Sequence, residues 1–421
     1  MAGEDVRRSP PRRGKLKALT NSRATTETAL ATVFRDEAGR LTGAMVRMIG
    51  NFDIAEEVVQ DSLLAALESW PQQGVPANPG AWLMTTARRR AIDLLRRDQR
   101  YAEKVALLER STMPGDPSET DDRLRLIFTC CHPALAPEAQ VALTLRAVAG
   151  FTTQEIAAAF LVTESTMAQR IVRAKRKIVE ANIPYRVPEG DELVARLESV
   201  LSVLYLMFNE GYLSRGPQAG MRRDLAEDAL WLTGLVAALL PRAEVLGLLA
   251  LMKLNLARSR ARFNDKGEMV LLPDQDRALW DNGAIAEGGE LLHRAAAMHS
   301  TGAYQLQAAI TAVHSEARSW EETDWQQIVL LYDALLRYSD TPVIRLNRAV
   351  ALGRVKGAAE ALGEVNDLAI SLGGYHLFHA TRAELLDQLG EAALAREARL
   401  KALELCENPA ERSLLERKLR S

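Results

Sequence analysis

The chain has 421 residues, a formal net charge of −2, 48% hydrophobic residues and 5% aromatic ones. That length predicts two or three domains, and the abundance of Ala, Leu, Glu and Arg favours helices over strands. The most apolar stretch, Ala229 to Met252, is broken by Pro241, Arg242 and Glu244, which excludes a membrane span there. The N-terminus has Arg and Pro but no apolar core of a secretory signal, and three cysteines in this length point to a reducing compartment, so a soluble cytoplasmic protein is expected.

The near-neutral total hides an asymmetry. Residues 1–187 hold 27 Lys+Arg against 22 Asp+Glu, and the remainder 26 against 33, so the front carries +5 and the back −7. Nucleic acid would therefore meet the front.

Residues 1–25 form a basic, Pro-containing tail without periodicity, expected to be disordered. A first helical domain is expected over 26–100. It holds two unlike helices, separated by a loop punctuated with Pro71, Gly74, Pro76, Pro79 and Gly80. In the first, the acids Asp53, Glu56, Glu57 and Asp61, with Gln60 among them, alternate with apolar residues. Such a surface suits a basic protein partner. In the second, which starts near Ala81, Arg88, Arg89, Arg90, Arg96, Arg97 and Arg100 face only Asp93 and Asp98, a second candidate nucleic-acid surface. The polar stretch 101–121, with Pro114-Gly115-Asp116-Pro117 in its middle, predicts a flexible linker.

The second domain, 122–186, ends in the most informative stretch of the chain. Thr152 followed by Glu155 has the form of a capping box opening one helix, and Thr163 is placed to cap the next. In that second helix Met167, Ile171, Ala174 and Ile178 repeat at helical spacing and must be buried. Ser165, Gln169, Arg173 and Arg176 lie opposite, with Thr166 at the helix start and Arg170 and Lys177 on the flanks. Five cations and no acid occur between Arg170 and Lys177. This is a helix-turn-helix whose second helix fits the major groove, with N-terminal side chains on base edges and the rest on phosphates. Cys130-Cys131-His132 lacks a second pair at ligand spacing and reads as helix packing, so no metal and no cofactor are expected.

Residues 187–421 read as a larger helical domain with a repeat. Laying Arg348 on Arg382 superposes Ala349 on Ala383, Ala361 on Ala395 and Leu352 on Leu386, an offset of 34 residues that matches tetratricopeptide helix hairpins. Against this Ala- and Leu-rich background stand Asn209, Glu210, Tyr212, Arg262, Asp274, Gln275, Asp276, Arg277, Trp280 and Asp281. They read either as a polar pocket or interface, or as caps and loop bridges.

The order of these parts resembles an extracytoplasmic-function sigma factor of bacterial RNA polymerase. The acidic helix from Asp53 to Trp70, the Pro/Gly loop, the helix containing Trp82, Ala87-Arg88 and Ala91-Ile92-Asp93, the linker and the helix-turn-helix recur in that sequence over about residues 26–182. The stretches Leu124–Leu135, Leu204–Gly216 and Leu271–Asp281 are similar to a subgroup with long tetratricopeptide-like tails. The resemblance implies an all-α fold of two small sigma domains and a larger helical C-terminal domain that modulates activity, and a protein that is not an enzyme. It implies core-polymerase binding by Asp53, Glu56, Glu57, Gln60 and Asp61. It implies contacts to the −10 element by Asn78, Trp82, Arg88, Arg89, Asp93, Arg96 and Arg97, with the loop at 72–80 receiving a flipped base. The −35 element falls to Ser165, Thr166, Gln169, Arg170, Arg173, Arg176 and Lys177. Partners are then core polymerase, promoter DNA and a regulatory protein or ligand at the C-terminal domain. Two positions depart from the family pattern: Arg89 stands where Asn is usual, and Leu161 where the turn usually has Gly. A helix-turn-helix regulator with a ligand-sensing domain is the alternative, and an enzyme using Glu210, Asp274 and Asp276 a third reading.

Overall fold

The computed structural model describes residues 33, 37–97, 122–160, 162–213, 219–264 and 267–420. The expected tail at 1–25, the expected linker at 101–121, Leu161 and the side chains of Arg97 and Glu210 lie outside the described residues. Helices make up most of what is described; among those residues the extended pairing is a single bridge between Phe263 and Met269. The chain divides into two compact units, Met1–Val203 and Leu204–Ser421.

In the first unit, helix α1 covers residues 37–49 and α2 covers Phe52–Gln73. The carboxamide of Asn51 accepts from the amides of Asp53 and Ile54 and so starts α2, while Gly74 at φ 85° ends it. Asn78 in turn accepts from the amide of Ala81 at 3.0 Å, which sets the first turn of α3 (Pro79–Arg97). The buried faces Ala55, Val58, Val59 and Ala66 on α2 and Leu83, Ala87, Ala91 and Leu95 on α3 pack the two helices into a pair. Trp70 is fully buried at its end, edge-on to Trp82 with ring centroids 5.5 Å apart. Four further helices follow: α4 (Asp122–Cys130), α5 (Pro137–Ala147), α6 (Thr153–Ala159) and α7 (Glu164–Glu180).

Helix α8 (Gly190–Leu213) contains the division between the units. Its first turns belong to the first unit, where Arg196, 8% exposed, donates to the carbonyl of Phe128 on α4.

The second unit holds the long apolar stretch seen in the sequence. It is divided between the end of α9 (Ala219–Leu239) and α10 (Ala243–Ala257). Helix α10 buries Val245, Leu246, Leu248, Ala250, Leu251 and Met252, and so is apolar on nearly every side because it is the centre of the unit. It packs on α11 (Asn282–Ala296) and α12 (Ala303–Glu316). At Gly247 an added Cβ would sit 2.6 Å from the amide nitrogen of Gln305, so only glycine allows α10 and α12 to cross this closely. After α13 (Trp325–Leu335) come α14 (Pro342–Lys356), α15 (Ala358–Asp367), the single turn α16 (Ala369–Leu372), α17 (His376–Gln388), α18 (Ala392–Leu405) and α19 (Pro409–Arg420). The first helices of the two hairpins start at 342 and 376 and the second at 358 and 392, the 34-residue offset read from the sequence. Ala349, Ala361, Ala383 and Ala395 are all buried at the hairpin crossings. No described helix is long and apolar enough to cross a membrane.

Candidate nucleic-acid interface

The helix-turn-helix is built by the two caps its sequence carries. The carboxylate of Glu155 accepts from the amide of Thr152 at 2.7 Å, and the Thr152 hydroxyl accepts from the amide of Glu155 at 3.2 Å. The Thr163 hydroxyl accepts from the amide of Thr166 at 3.2 Å and starts α7. Met167, Ile171, Ala174 and Ile178 are buried. Ser165, Thr166, Gln169, Arg173, Arg176 and Lys177 are exposed and Arg170 is half-buried. Arg176 leans on Glu180 at 2.9 Å. Gln169, Arg173 and Lys177 help to form a shallow cavity of about 340 Å³ against Ala136 and Ala139. Side chains of this kind, free to move on a helix face, suit contact with a polyanion.

One cation of the cluster does something else. Lys175 is 8% exposed and its ammonium lies 2.9 Å from Asp53 and 3.2 Å from Glu56 on α2. It follows Ile171 by four residues, so it belongs on the buried stripe and not with its charged neighbours. The same Glu56 is 3.6 Å from Arg146 of α5. More pins join these modules. Arg47 on α1 bonds Asp122 at the start of α4 at 3.1 Å, and the Tyr185 hydroxyl donates to the carbonyl of Gly43 at 2.8 Å. A Cβ at Gly39 would come 2.7 Å from the carbonyl oxygen of Val148, so the backbones meet directly. Burial and the carboxylate of Asp122 push the Tyr185 phenol well above its ordinary range, which keeps it a donor.

The expected polymerase-facing acids therefore divide. Asp53 and Glu56 face cations of the helix-turn-helix module, and Asp61 pairs with Arg90 of α3 at 2.5 Å. Glu57 and Gln60 are exposed. On α3, Arg89, Asp93 and Arg96 are exposed, Arg88 and Trp82 half-buried, and Asn78 is an exposed cap.

In the second unit the polar residues singled out from the sequence separate into caps and a cluster. Asp276 accepts from the amide of Ala278 and Asp281 from that of Ala284, both as local caps. Asp274 is exposed in a single turn at Leu272–Asp274, and Asn209 is half-buried on α8. Arg262 donates to the Tyr212 carbonyl at 3.0 Å with its guanidinium 4.0 Å above the Tyr212 ring. Arg277 lies 4.4 Å over Trp280 and donates to the carbonyls of His314 and Ala317. Sequence reasoning missed Arg258, His314, Trp320, Trp325 and Arg354 around this cluster, because they come from five separate helices and loops. Burial, with Arg258 and Arg277 nearby, pulls the His314 imidazole down to about 4. In the first unit, Cys130 and Cys131 are buried thiols, Cys131 lies 3.5 Å from the Thr144 hydroxyl, and the His132 ring accepts from the amide of Ala134.

Comparison with known proteins agrees with this geometry. Residues 33–101 match sigma-70 region 2, residues 125–178 match sigma-70 region 4, and residues 196–296 match a family of unknown function, DUF6596. A protein of Rhizobium meliloti (strain 1021), described as uncharacterized, is 41% identical over 90% of this chain and 92% of its own length. The ECF RNA polymerase sigma factor SigL of Mycobacterium tuberculosis is 31% identical over 38% of this chain and 93% of its own length. The RNA polymerase sigma factor CarQ of Myxococcus xanthus is 29% identical over 36% of the chain and 88% of its own. No solved structure gives a significant match. The fold and the charged helices thus define a sigma-70 type initiation factor. The chain belongs to the extracytoplasmic-function family of RNA polymerase sigma factors, with a long helical C-terminal extension.

Proposed function

We propose that this alternative sigma factor docks on core RNA polymerase through the exposed side of α2, opens the −10 element with the loop and helix from 72 to 97, and reads the −35 element with α7. The observation that carries the reading is the division of α7 into a buried apolar stripe and a solvent row of Ser165, Gln169, Arg173 and Arg176. Such a row places short polar side chains where bases are read and guanidiniums where phosphates lie. The capped start of α3 at Asn78, with Trp82 beside it, supports a role in holding an extruded base, which costs a few kcal/mol to unstack. The protein acts as a subunit without chemistry of its own, in the cytoplasm where polymerase is.

The seam between the two sigma modules adds a step. Asp53 and Glu56 belong to the proposed docking surface and are held by Lys175 and Arg146. Polymerase would exchange these pairs for its own cations, so opening the seam and docking are one equilibrium. Glu57→Arg tests the docking surface most cleanly, since Asp61→Arg would also break the pair with Arg90. A charge reversal at a close contact costs several kcal/mol, so core-polymerase affinity should fall at least tenfold in the folded variant. Unchanged affinity in a core-polymerase titration would sink the assignment of α2, and would favour a regulator that acts on duplex DNA without polymerase.

The C-terminal unit we read as regulatory, bracing the readers in their active arrangement. A truncation that tests this has to follow Val203, because a cut after Asn182 removes Arg196, whose side chain satisfies the carbonyl of Phe128. Truncation after Val203 should lower promoter-specific transcription in vitro, whereas higher output at equal concentration would make the unit an inhibitor.

A further inference from the structure

The second unit contains a cavity of about 410 Å³, within the range of small-molecule sites (about 300–1,000 Å³). Its lining is largely apolar and includes Leu271, Val350, Leu377, Leu385, Leu414 and Leu415. Val350 and Leu377 are each 39% exposed, so this apolar lining is reachable from solvent.

The charges on its walls are of two kinds. Lys418 is paired with Glu384 at 2.6 Å, His376 with Glu411 at 2.9 Å, and Arg399 with Asp387. The Lys418 and Arg399 pairs leave little net field. Arg262 and Arg354 also line the cavity, and neither lies within ion-pair distance of a carboxylate among the described residues. Arg262 is supported by the Tyr212 ring and carbonyl, and the Arg354 guanidinium lies 5.2 Å from the Trp320 ring centroid and 5.8 Å from that of Trp325. The exposed carboxylate of Glu321 is held below its usual range first by hydrogen bonds from its own backbone amide and the Ser319 hydroxyl and then by Arg277 and Arg354, so one acid does sense these arginines.

Two further arginines lie near Arg262. Arg258 is largely buried, and its guanidinium is lowered from its ordinary value by desolvation and by the charges of Arg262 and Arg277. Buried Nε of Arg258, Nη2 of Arg277 and Nε1 of Trp280 have no acceptor among the described residues. Buried donors without acceptors are costly and uncommon in folded proteins; these three do not line the cavity, but Arg258 and Arg277 belong to the same cationic group as its wall residue Arg262.

From this arrangement we infer that the cavity binds a small amphipathic organic anion, its acidic head at Arg262 and Arg354 and its apolar body along Val350, Leu377, Leu414 and Leu415. The ligand class follows from the two ends. An uncharged lipid would leave the guanidiniums without a counter-charge, and an inorganic anion would leave the apolar walls wet. The regulatory role proposed above would give such a ligand a purpose, but the binding claim does not depend on it.

Decanoate is the test probe, with decanol and decyltrimethylammonium as matched controls on the full-length chain. Trp320 and Trp325 flank Arg354 and supply a fluorescence readout, and titration calorimetry supplies the stoichiometry. One decanoate should bind per chain, decanol at least tenfold more weakly, and the cation not at all. Arg354→Met should weaken decanoate at least tenfold while bringing decanoate and decanol to similar affinities. Val350→Phe, which narrows the cavity at an exposed position, should weaken both; with melting curves recorded for each variant, it keeps the test meaningful if the arginine variant unfolds. Equal binding of all three probes, or decanoate affinity unaffected by both substitutions, would overturn the proposal. So would flotation on phosphatidylglycerol vesicles without binding of monomeric decanoate, which would make the site a membrane contact instead.

Discussion

The two units join their parts by opposite means. In the first unit, the sigma modules meet through ion pairs and hydrogen bonds: Lys175 with Asp53 and Glu56, Arg146 with Glu56, Arg47 with Asp122, Tyr185 with Gly43. In the second unit, consecutive hairpins meet through the buried Ala349, Ala361, Ala383 and Ala395 and through buried leucines such as Leu346, Leu385 and Leu386. An apolar seam has no better partner in water and stays closed, because its stabilisation comes from area removed from solvent. A polar seam keeps its partners interchangeable, since any surface that offers cations to α2 satisfies Asp53 and Glu56 equally well. The contrast matches what each half is proposed to do: the readers must come apart to span two promoter elements, and the repeat must hold its shape.

The largest test of that contrast removes the central pin. Lys175→Met keeps the side-chain length, leaves the buried position apolar and deprives Asp53 of its cation and Glu56 of the nearer of its two. Truncating one partner of a largely buried pair costs about 2–5 kcal/mol. The isolated sigma factor should then expand in small-angle scattering and bind core polymerase more tightly, since the closed form no longer competes. A compact particle with unchanged polymerase affinity would mean that the remaining pins, Arg146 with Glu56, Arg47 with Asp122, Tyr185 with Gly43 and the close approach at Gly39, hold the modules without Lys175.

Lys175 also marks where reading the sequence stops being sufficient. The helix-turn-helix was legible because its signals are local: Thr152 with Glu155, Thr163 as a cap, and an apolar stripe at one period. The 34-residue repeat was legible because alanines recur at fixed positions. The role of Lys175 depends on Asp53, 122 residues earlier, and no period or propensity encodes that pairing. The only trace was its place on the buried stripe of α7, which a count of cations from Arg170 to Lys177 passed over. The tail cluster was legible only in part for the same reason: Tyr212, Arg262, Arg277 and Trp280 stood out, but Arg258, His314 and Arg354 join them from distant segments, and the aspartates that also stood out, Asp276 and Asp281, are local caps.

The second test asks whether the apolar half has a polar weakness of its own. The His314 imidazole, ordinarily near 6.5, is held down to about 4 by burial and by Arg258 and Arg277, so it is neutral in the fold at pH 7. A histidine with a lowered folded pKa takes up its proton more readily when unfolded. Its contribution is therefore intact above about pH 6.5 and is lost as pH falls toward about 4, at roughly 1.4 kcal/mol per unit and roughly 3 kcal/mol by the end of the window. Chemical denaturation followed by the fluorescence of Trp320 and Trp325, which lie against the His314 ring, should show this slope. His314→Phe keeps an aromatic ring there and should flatten it. A variant as acid-sensitive as the parent would place the weakness elsewhere.

The smallest expected effect is the most direct comparison of the two seams, because it changes no residue. Raising KCl from about 0.1 M to about 1 M shortens the screening length from about 10 Å to about 3 Å. Asp53 is 75% exposed and Arg47 39%, so their pairs are open to screening and worth about 0–1 kcal/mol each. The side chains of Glu56, 17% exposed, and Lys175, 10% exposed, are shielded and should resist. The net loosening between the modules should therefore stay below about 1 kcal/mol, seen as up to about fivefold faster amide exchange in α7 and α1. Exchange in α14, α15, α17 and α18 should hold or slow, since salt does not weaken apolar burial. Equal loosening of both sets of helices would remove the distinction between a seam made of charge and one made of alanine and leucine, and with it the reason for expecting the sigma modules, and not the repeat, to open on polymerase.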